Sequence, residues 1–237
     1  MAKAQLIKPV RSHSLSNQVF DSLKYAIFSG RFQPGEQLRE LHLAEMFEVS
    51  QSTIRGALVQ LEQAGLVVRE QNRKTTVTSF TQEEIRDRLA MRIALEELAF
   101  AAAGRKMQNA DLKKLSTMAQ TIQKAIHRGS HHDLTVSDLA FHHFVWKQAK
   151  SPILFRTLDQ LTTPLFAFLG VLQEKGLVDV RVTRSHDVLV EALRSRKEET
   201  IRGAIRTHIE GSYRRFLKSG APTLDAIVTG SRNGDGE

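Results

Sequence analysis

The sequence predicts a mainly α-helical protein in two parts, an N-terminal winged helix-turn-helix and a C-terminal all-α helical bundle. Three observations predict it. Apolar residues recur at helical spacing from residue 14 to the mid-sixties, broken by turn residues into one long and two shorter segments. Two short β-rich runs follow, joined by a polar, basic tip. From residue 81 to about 217 the pattern is helical throughout, with no convincing strand.

The elements follow in order. Residues 1–13 are polar and read as a flexible arm. The first helix covers 14–29, with Leu15, Val19, Leu23, Ala26 and Ile27 on one stripe, and Gly30 stops it as glycine does just past a helix C-terminus. Pro34 and Gly35 make a turn. A short helix covers 40–47, and Ser50 is a good N-cap for a third helix from Gln51 to Ala64. In that helix Ile54, Ala57, Leu58 and Leu61 form a buried face at i, i+3, i+4 and i+7. Leu66–Arg69 and Thr75–Thr78 pair as a hairpin.

Thr81 and Glu84 have the spacing of a capping box, which places the domain boundary near 79–81. The helix-turn-helix part is thus 14–79 and the helical part 80–218. Helices are expected at 82–103, 110–128, 133–149, 152–172, 183–195 and 198–217. The tail 219–237, rich in Gly, Ser, Asn and Asp, is expected to be disordered.

Composition narrows the function. The 237 residues contain no cysteine, which removes disulfides, thiolate catalysis and cysteine-based zinc sites and fits a cytoplasmic protein. No stretch approaches the ~20 apolar residues of a membrane span, and no signal peptide is evident, so no membrane partner is expected. The net charge of +8 suits a nucleic-acid partner. Its distribution does not locate a surface, because residues 1–80 hold 10 Lys and Arg against 7 Asp and Glu and the remaining excess lies further on.

In a winged helix-turn-helix the second helix of the pair enters the major groove, N-terminal residues first. Here those residues are Ser50, Gln51, Ser52, Thr53 and Arg55, off the Ile54/Leu58/Leu61 stripe except that Thr53 is partly inward. Arg55 suits a bidentate contact with guanine and Gln51 one with adenine. Arg73 and Lys74 at the wing tip would meet phosphate or the minor groove, and Arg39 would clamp a phosphate. A solvated polar helix face explains residues 51–55 taken alone about as well.

Nine histidines are present, and three are placed unusually. His186 shares a face with Leu189, Val190 and Leu193, and His208 with Ala204 and Ile205. Asp138 and His142, four apart, stack on one helix face flanked by Leu134, Phe141 and Val145. A buried ionised Asp is costly unless paired or metal-bound, so inward polar groups on three helices suggest one shared cation. Histidine and carboxylate suit zinc, with nickel or manganese as alternatives. A lone inward histidine is nonetheless more often a hydrogen-bonded core residue. His127, His131, His132 and His143 read as surface or loop residues.

Residues 15–79 resemble the DNA-binding domain of the GntR family of regulators. The resemblance is carried by the run from Ile27 through Pro34-Gly35 to Leu38, Leu43-Ala44-Glu45, Val49-Ser50, Ile54-Arg55, Ala57-Leu58, Leu61-Glu62, Gly65-Leu66-Val67, and Asn72-Arg73 before Thr75-Thr76-Val77. The chain departs from the family at Gln51, where arginine is usual, at Gly56, where glutamate is usual, and at Lys74, where glycine is usual, while Thr53 stands where proline or threonine is common. The lost arginine implies an altered operator. Gly56 would allow a close backbone approach to DNA.

Residues 82–217 resemble the effector domain of the FadR-like branch of the same family. Arg92 with Glu96, Asp138-x-x-Phe141-His142, Ser185-His186-Asp187 and Arg206-Thr207-His208 match its pattern. This resemblance implies a metal site at Asp138, His142, His186 and His208 under a cavity for a small organic acid. It makes Arg92 a candidate carboxylate partner, with a structural salt bridge to a glutamate equally consistent. It also implies a homodimer on double-stranded operator DNA, commonly a repressor released by a metabolite. In an alternative reading the metal itself is the signal. A metalloenzyme is disfavoured, because no separate general base and no HExxH, GxSxG or phosphate-loop motif is found.

Overall fold

The computed structural model describes residues 15–70, 74–175 and 186–213. The arm at 1–13, Arg73 at the wing tip, the predicted start of a helix at 183–185, the end of the last helix at 214–217 and the tail at 219–237 lie outside these residues.

The elements run α1 (Leu15–Phe28), β1 (Gln37–Leu38), α2 (Glu40–Phe47), α3 (Gln51–Gln63), β2 (Val67–Arg69), β3 (Thr75–Val77), α4 (Gln82–Lys106), α5 (Asn109–Arg128), α6 (His131–Gln148), α7 (Pro152–Glu174), α8 (His186–Ser195) and α9 (Glu198–Ser212). Leu23 and Ile27 of α1, Leu43 of α2 and Ile54, Leu58 and Leu61 of α3 are buried, so the three stripes close on one another. At ~25 cal/mol per Å² of apolar surface, each such side chain contributes about 2 kcal/mol of transfer free energy.

Glycines with positive φ end α1 (Gly30, +70°) and follow α3 (Gly65, +70°). β2 and β3 pair antiparallel, Val67 opposite Val77, and Glu70 N–H donates to the Lys74 carbonyl at 2.9 Å to close the hairpin. A third strand, β1, was not expected from the sequence. It lies on the other side of β3, Gln37 opposite Thr76 and Leu38 opposite Thr75, giving the order β1-β3-β2.

The capping box is formed as the spacing predicts: Glu84 N–H donates to Thr81 Oγ1 at 3.2 Å, and Thr81 N–H donates to the Glu84 carboxylate at 2.7 Å. The helical part then packs around α7, which is buried on every side from Thr162 to Leu172 and so occupies its centre. α4 and α6 pack on α7, α9 on α4, and α8 on α9 and α5.

Pro164 interrupts α7 and cannot donate to the Gln160 carbonyl. The helix-turn-helix part seats against this break. A Cβ at Gly65 would meet Pro164 Cγ at 3.0 Å and the Gln160 carbonyl oxygen at 3.6 Å. Phe80 stacks edge-on against Phe168 at 5.5 Å, with the Arg88 guanidinium 4.3 Å over the Phe80 ring.

Gly56 does not serve a close approach to DNA, as the sequence suggested. A Cβ there would lie 2.7 Å from Ser16 Oγ of α1, so the glycine lets α1 and α3 pack closely.

Candidate metal centre and nucleic-acid interface

Three helices bring four side chains to one point. α6 supplies Asp138 and His142 one turn apart, α8 supplies His186 as its first residue, and α9 supplies His208. All four are buried, His142 and His186 completely. One ligand atom from each lies within 4.8 Å of the others. His186 Nε2 is 2.8 Å and His142 Nε2 3.4 Å from Asp138 Oδ1, and the His186 and His208 rings are 4.7 Å apart. The donors are hard to intermediate N and O atoms with no sulfur, which fits zinc or a similar divalent ion. Ligand–metal bonds of ~2.1 Å in a tetrahedral site put ligand atoms ~3.4 Å apart, so the widest pair would have to close by about 1.4 Å.

The electrostatics agree with that donor chemistry. Burial pushes the Asp138 carboxyl upward, but the adjacent His186 and hydrogen bonds from His142 and His186 more than reverse this and hold it well below the usual carboxylate range. Burial, aided by the neighbouring imidazoles, pushes His208 well below the usual histidine range, which leaves a neutral ring with a lone pair to donate.

Glu96 of α4 orients the centre. It is fully buried and accepts from His142 Nδ1 at 2.6 Å, Arg92 Nε at 2.5 Å and Trp146 Nε1 at 3.1 Å. Burial raises its pKa and the adjacent His142 and Arg92 outweigh that, leaving it at about 2. An ionised Glu96 keeps a proton on His142 Nδ1 and turns Nε2 toward Asp138, an arrangement that fixes ring orientation and raises ligand basicity. The sequence paired Glu96 with Arg92 but did not connect it to His142. The available signal is an acid on the buried α4 stripe of Leu89, Ile93 and Phe100.

Arg92 is buried and takes the salt-bridge role that the sequence left open beside a carboxylate-binding one. Beyond Glu96, its Nη1 donates to Tyr213 Oη at 3.3 Å and its Nη2 lies 3.3 Å from His142 Nε2. Its guanidinium stands 4.8 Å over the Phe166 ring and 5.6 Å from the Tyr213 ring. Among the other histidines, His127 is exposed as expected. His132 is half-buried, 4.7 Å from the Tyr25 ring of α1, and His143 is half-buried, with Nε2 3.0 Å from Asp159 Oδ1. The surface reading of these two is corrected: α1 and α7 cover that side of α6.

At the other end, Ser50 caps α3, accepting from Thr53 N–H at 3.2 Å. Gln51, Ser52 and Arg55 project outward, Thr53 is half-buried, and Arg39 and Lys74 are exposed on the elements either side. Arg73 lies outside the described residues. Arg55 is not a free cation: its Nη2 lies 3.0 Å and its Nε 3.3 Å from Glu40 Oε2.

No helix among the described residues is long and apolar enough to cross a membrane. Residues 15–77 match the family described as bacterial regulatory proteins, gntR family, and residues 87–211 match the FCD domain. The chain is 28% identical over 195 residues to the uncharacterized HTH-type transcriptional regulator YdhC of Bacillus subtilis (strain 168), across 81% of this chain and 86% of that protein. It is 23% identical over 182 residues to the gluconate operon transcriptional repressor of Bacillus licheniformis, across 75% and 74%. The solved structure of Escherichia coli McbR/YncC superposes with a TM-score of 0.72 at 22% identity, covering 94% of this chain and 100% of that one, which speaks to the fold. With both matches in register with the helix-turn-helix and the helical bundle, the chain belongs to the GntR family of bacterial regulators and, with its FCD domain, is a DNA-binding transcription regulator rather than an enzyme.

Proposed function

We propose that the chain represses a metabolic operon, binding operator DNA as a homodimer in the cytoplasm, and that its affinity is set by a small organic acid held beside a divalent metal, zinc first. The observation that carries the reading is the buried Asp138/His142/His186/His208 cluster with Glu96 behind it. In this reading Gln51, Ser52, Thr53 and Arg55 face the bases, while Ser50, Arg39, Arg73 and Lys74 face the backbone or wing contacts. Support for repression comes from the relative that is a gluconate operon repressor.

The metal would supply a Lewis-acidic position for a carboxylate oxygen. Arg92 completes the anion site. Its Nη2 lies against His142 Nε2, so with Nε2 holding a divalent ion the Nη2 hydrogens would be left to face an anion. The test is metal content and acid binding together. Wild type carries about one equivalent of metal per chain and His186→Ala loses it, and organic acids shift the melting temperature of the metal-loaded form alone. Metal-free protein that takes up none on titration overturns the reading.

The alternative, in which the metal itself is the signal, is favoured by one observation: each Arg92 nitrogen already has a protein partner. Operator affinity that follows zinc with no organic acid present would decide for it.

A further inference from the structure

We propose that Glu40, outside the base-reading helix, determines the base preference of Arg55 by holding its guanidinium in one orientation. The inference rests on the reading of α3 as the DNA-contacting helix. Glu40 is the first residue of α2, and its side chain is 16% exposed, against 51% for Arg55. A semi-buried, fixed carboxylate thus grips a cation that is otherwise in solvent.

The grip is directional. Glu40 Oε2 takes the side edge of the guanidinium, Nε at 3.3 Å and Nη2 at 3.0 Å. Nη1 and the second Nη2 hydrogen remain, and they form the end-on fork. That fork matches the O6 and N7 acceptors of guanine, whereas adenine offers only one acceptor beside a donor. A free arginine samples many rotamers and reaches phosphate as readily as base. One fixed by its side edge points its other edge outward and loses less freedom on contact.

Glu40 also reaches the wing: its Oε1 lies 3.9 Å from Arg69 Nη2, and Arg69 in turn lies 3.6 Å from Glu62. α2, α3 and β2 are therefore tied at one acid. A carboxylate on a DNA-facing edge opposes the phosphate field, and an exposed ion pair adds little stability. Orientation of Arg55 is what offsets that opposition. The pairing also bears on Gln51: without an arginine at the start of α3, guanine reading falls to Arg55.

The test selects binding sites from a randomised duplex library with the full-length protein, then measures affinities for single-base variants of the selected site. Wild type prefers guanine at one position by roughly tenfold or more. Arg55→Gln removes that preference. Glu40→Gln reduces it to about threefold or less at the same position, while binding of random duplex is unchanged or tighter, because a negative charge has gone. The double variant matches Arg55→Gln, as residues acting as one unit do. Glu40→Asp keeps the charge at the start of α2 but withdraws the carboxylate, so it shows the same loss if Glu40→Gln fails to fold. Arg69→Gln weakens all sites alike.

The inference is overturned if both Glu40 variants keep the wild-type preference, or lose preference at a different position from Arg55→Gln. If Arg55→Gln keeps the selected consensus, Arg55 is not the reader and the inference falls with it. Failure of wild type to select any sequence at low salt overturns the DNA-reading helix itself.

Discussion

Replacing Glu96 by Gln keeps the shape of the side chain and removes its charge, which makes it a sharp perturbation of the buried centre. Glu96 accepts from three donors on three residues, Arg92, His142 and Trp146, and has no exposure to solvent. An amide has one oxygen for these three donors, and its NH₂ group must face either Arg92 or the His142/Trp146 pair. The larger effect is on Arg92, whose buried charge loses its counter-ion. Breaking one side of a buried pair costs about 3–5 kcal/mol, a large part of the ~5–15 kcal/mol that holds a domain. Denaturant unfolding in the presence of EDTA measures this without metal linkage. The double variant Glu96→Gln/Arg92→Met removes the stranded charge and leaves an apolar chain against Phe166 and Tyr213. It should recover most of the loss, since apolar replacement of a buried ion pair is often neutral or stabilising. A Glu96→Gln protein within about 1 kcal/mol of wild type, or a double variant no more stable than the single, would refute the reasoning.

Glu96→Gln also lets the His142 proton leave Nδ1, so zinc affinity should fall about 10- to 100-fold in competition with a chromophoric chelator. Gly65→Ala forces a β-carbon into a φ of +70° and to 3.0 Å from Pro164 Cγ; about 1–3 kcal/mol of stability should be lost, read by thermal unfolding. Gly56→Ala gains helix propensity but meets Ser16 Oγ, so the single change should be near neutral, while Gly56→Ala in a Ser16→Ala background should gain about 1 kcal/mol. Hydrogen bonds from Thr81, backbone first, hold Glu84 below its ordinary value of 4.5. Its contribution is therefore complete above that pH and is lost as pH falls through the lowered value, and Glu84→Ala should cost about 0.5 kcal/mol at pH 7 and less at pH 3 in paired denaturant melts.

What was legible in the sequence follows the range of the interactions. Helices α1 to α9 show in the apolar period, because each buries one stripe and the period is local. β1 did not, because two residues carry no pattern and its partner, β3, lies some forty residues on. The four candidate ligands were legible because polar residues on apolar stripes stand out. Glu96 stood out in the same way, yet its bonds to His142 and Trp146 cross between helices and have no local signature. His143 was misread for the converse reason. It follows His142 by one residue, about 100° round the helix, and only the packing of α7 shows that this side is covered too. Gly56 and Arg55 were both read from the DNA side, whereas their nearest neighbours are Ser16 and Glu40 from other helices.

The two halves meet on α7, and this bears on how a ligand could act on DNA. A ligand shifts an equilibrium only through contacts that differ between the two arrangements. Phe166 lies under the Arg92 guanidinium at 4.8 Å and 6.0 Å from the His142 ring, on the side of the buried centre. Pro164 and Val171, within five residues of it, face Gly65 and Gly30 of the helix-turn-helix part, and Phe168 faces Phe80 at the boundary. A side chain pressed on Phe166 therefore bears on the same two turns of helix that carry the other half. Those turns lack one backbone hydrogen bond at Pro164, so bending there costs less than in an unbroken helix.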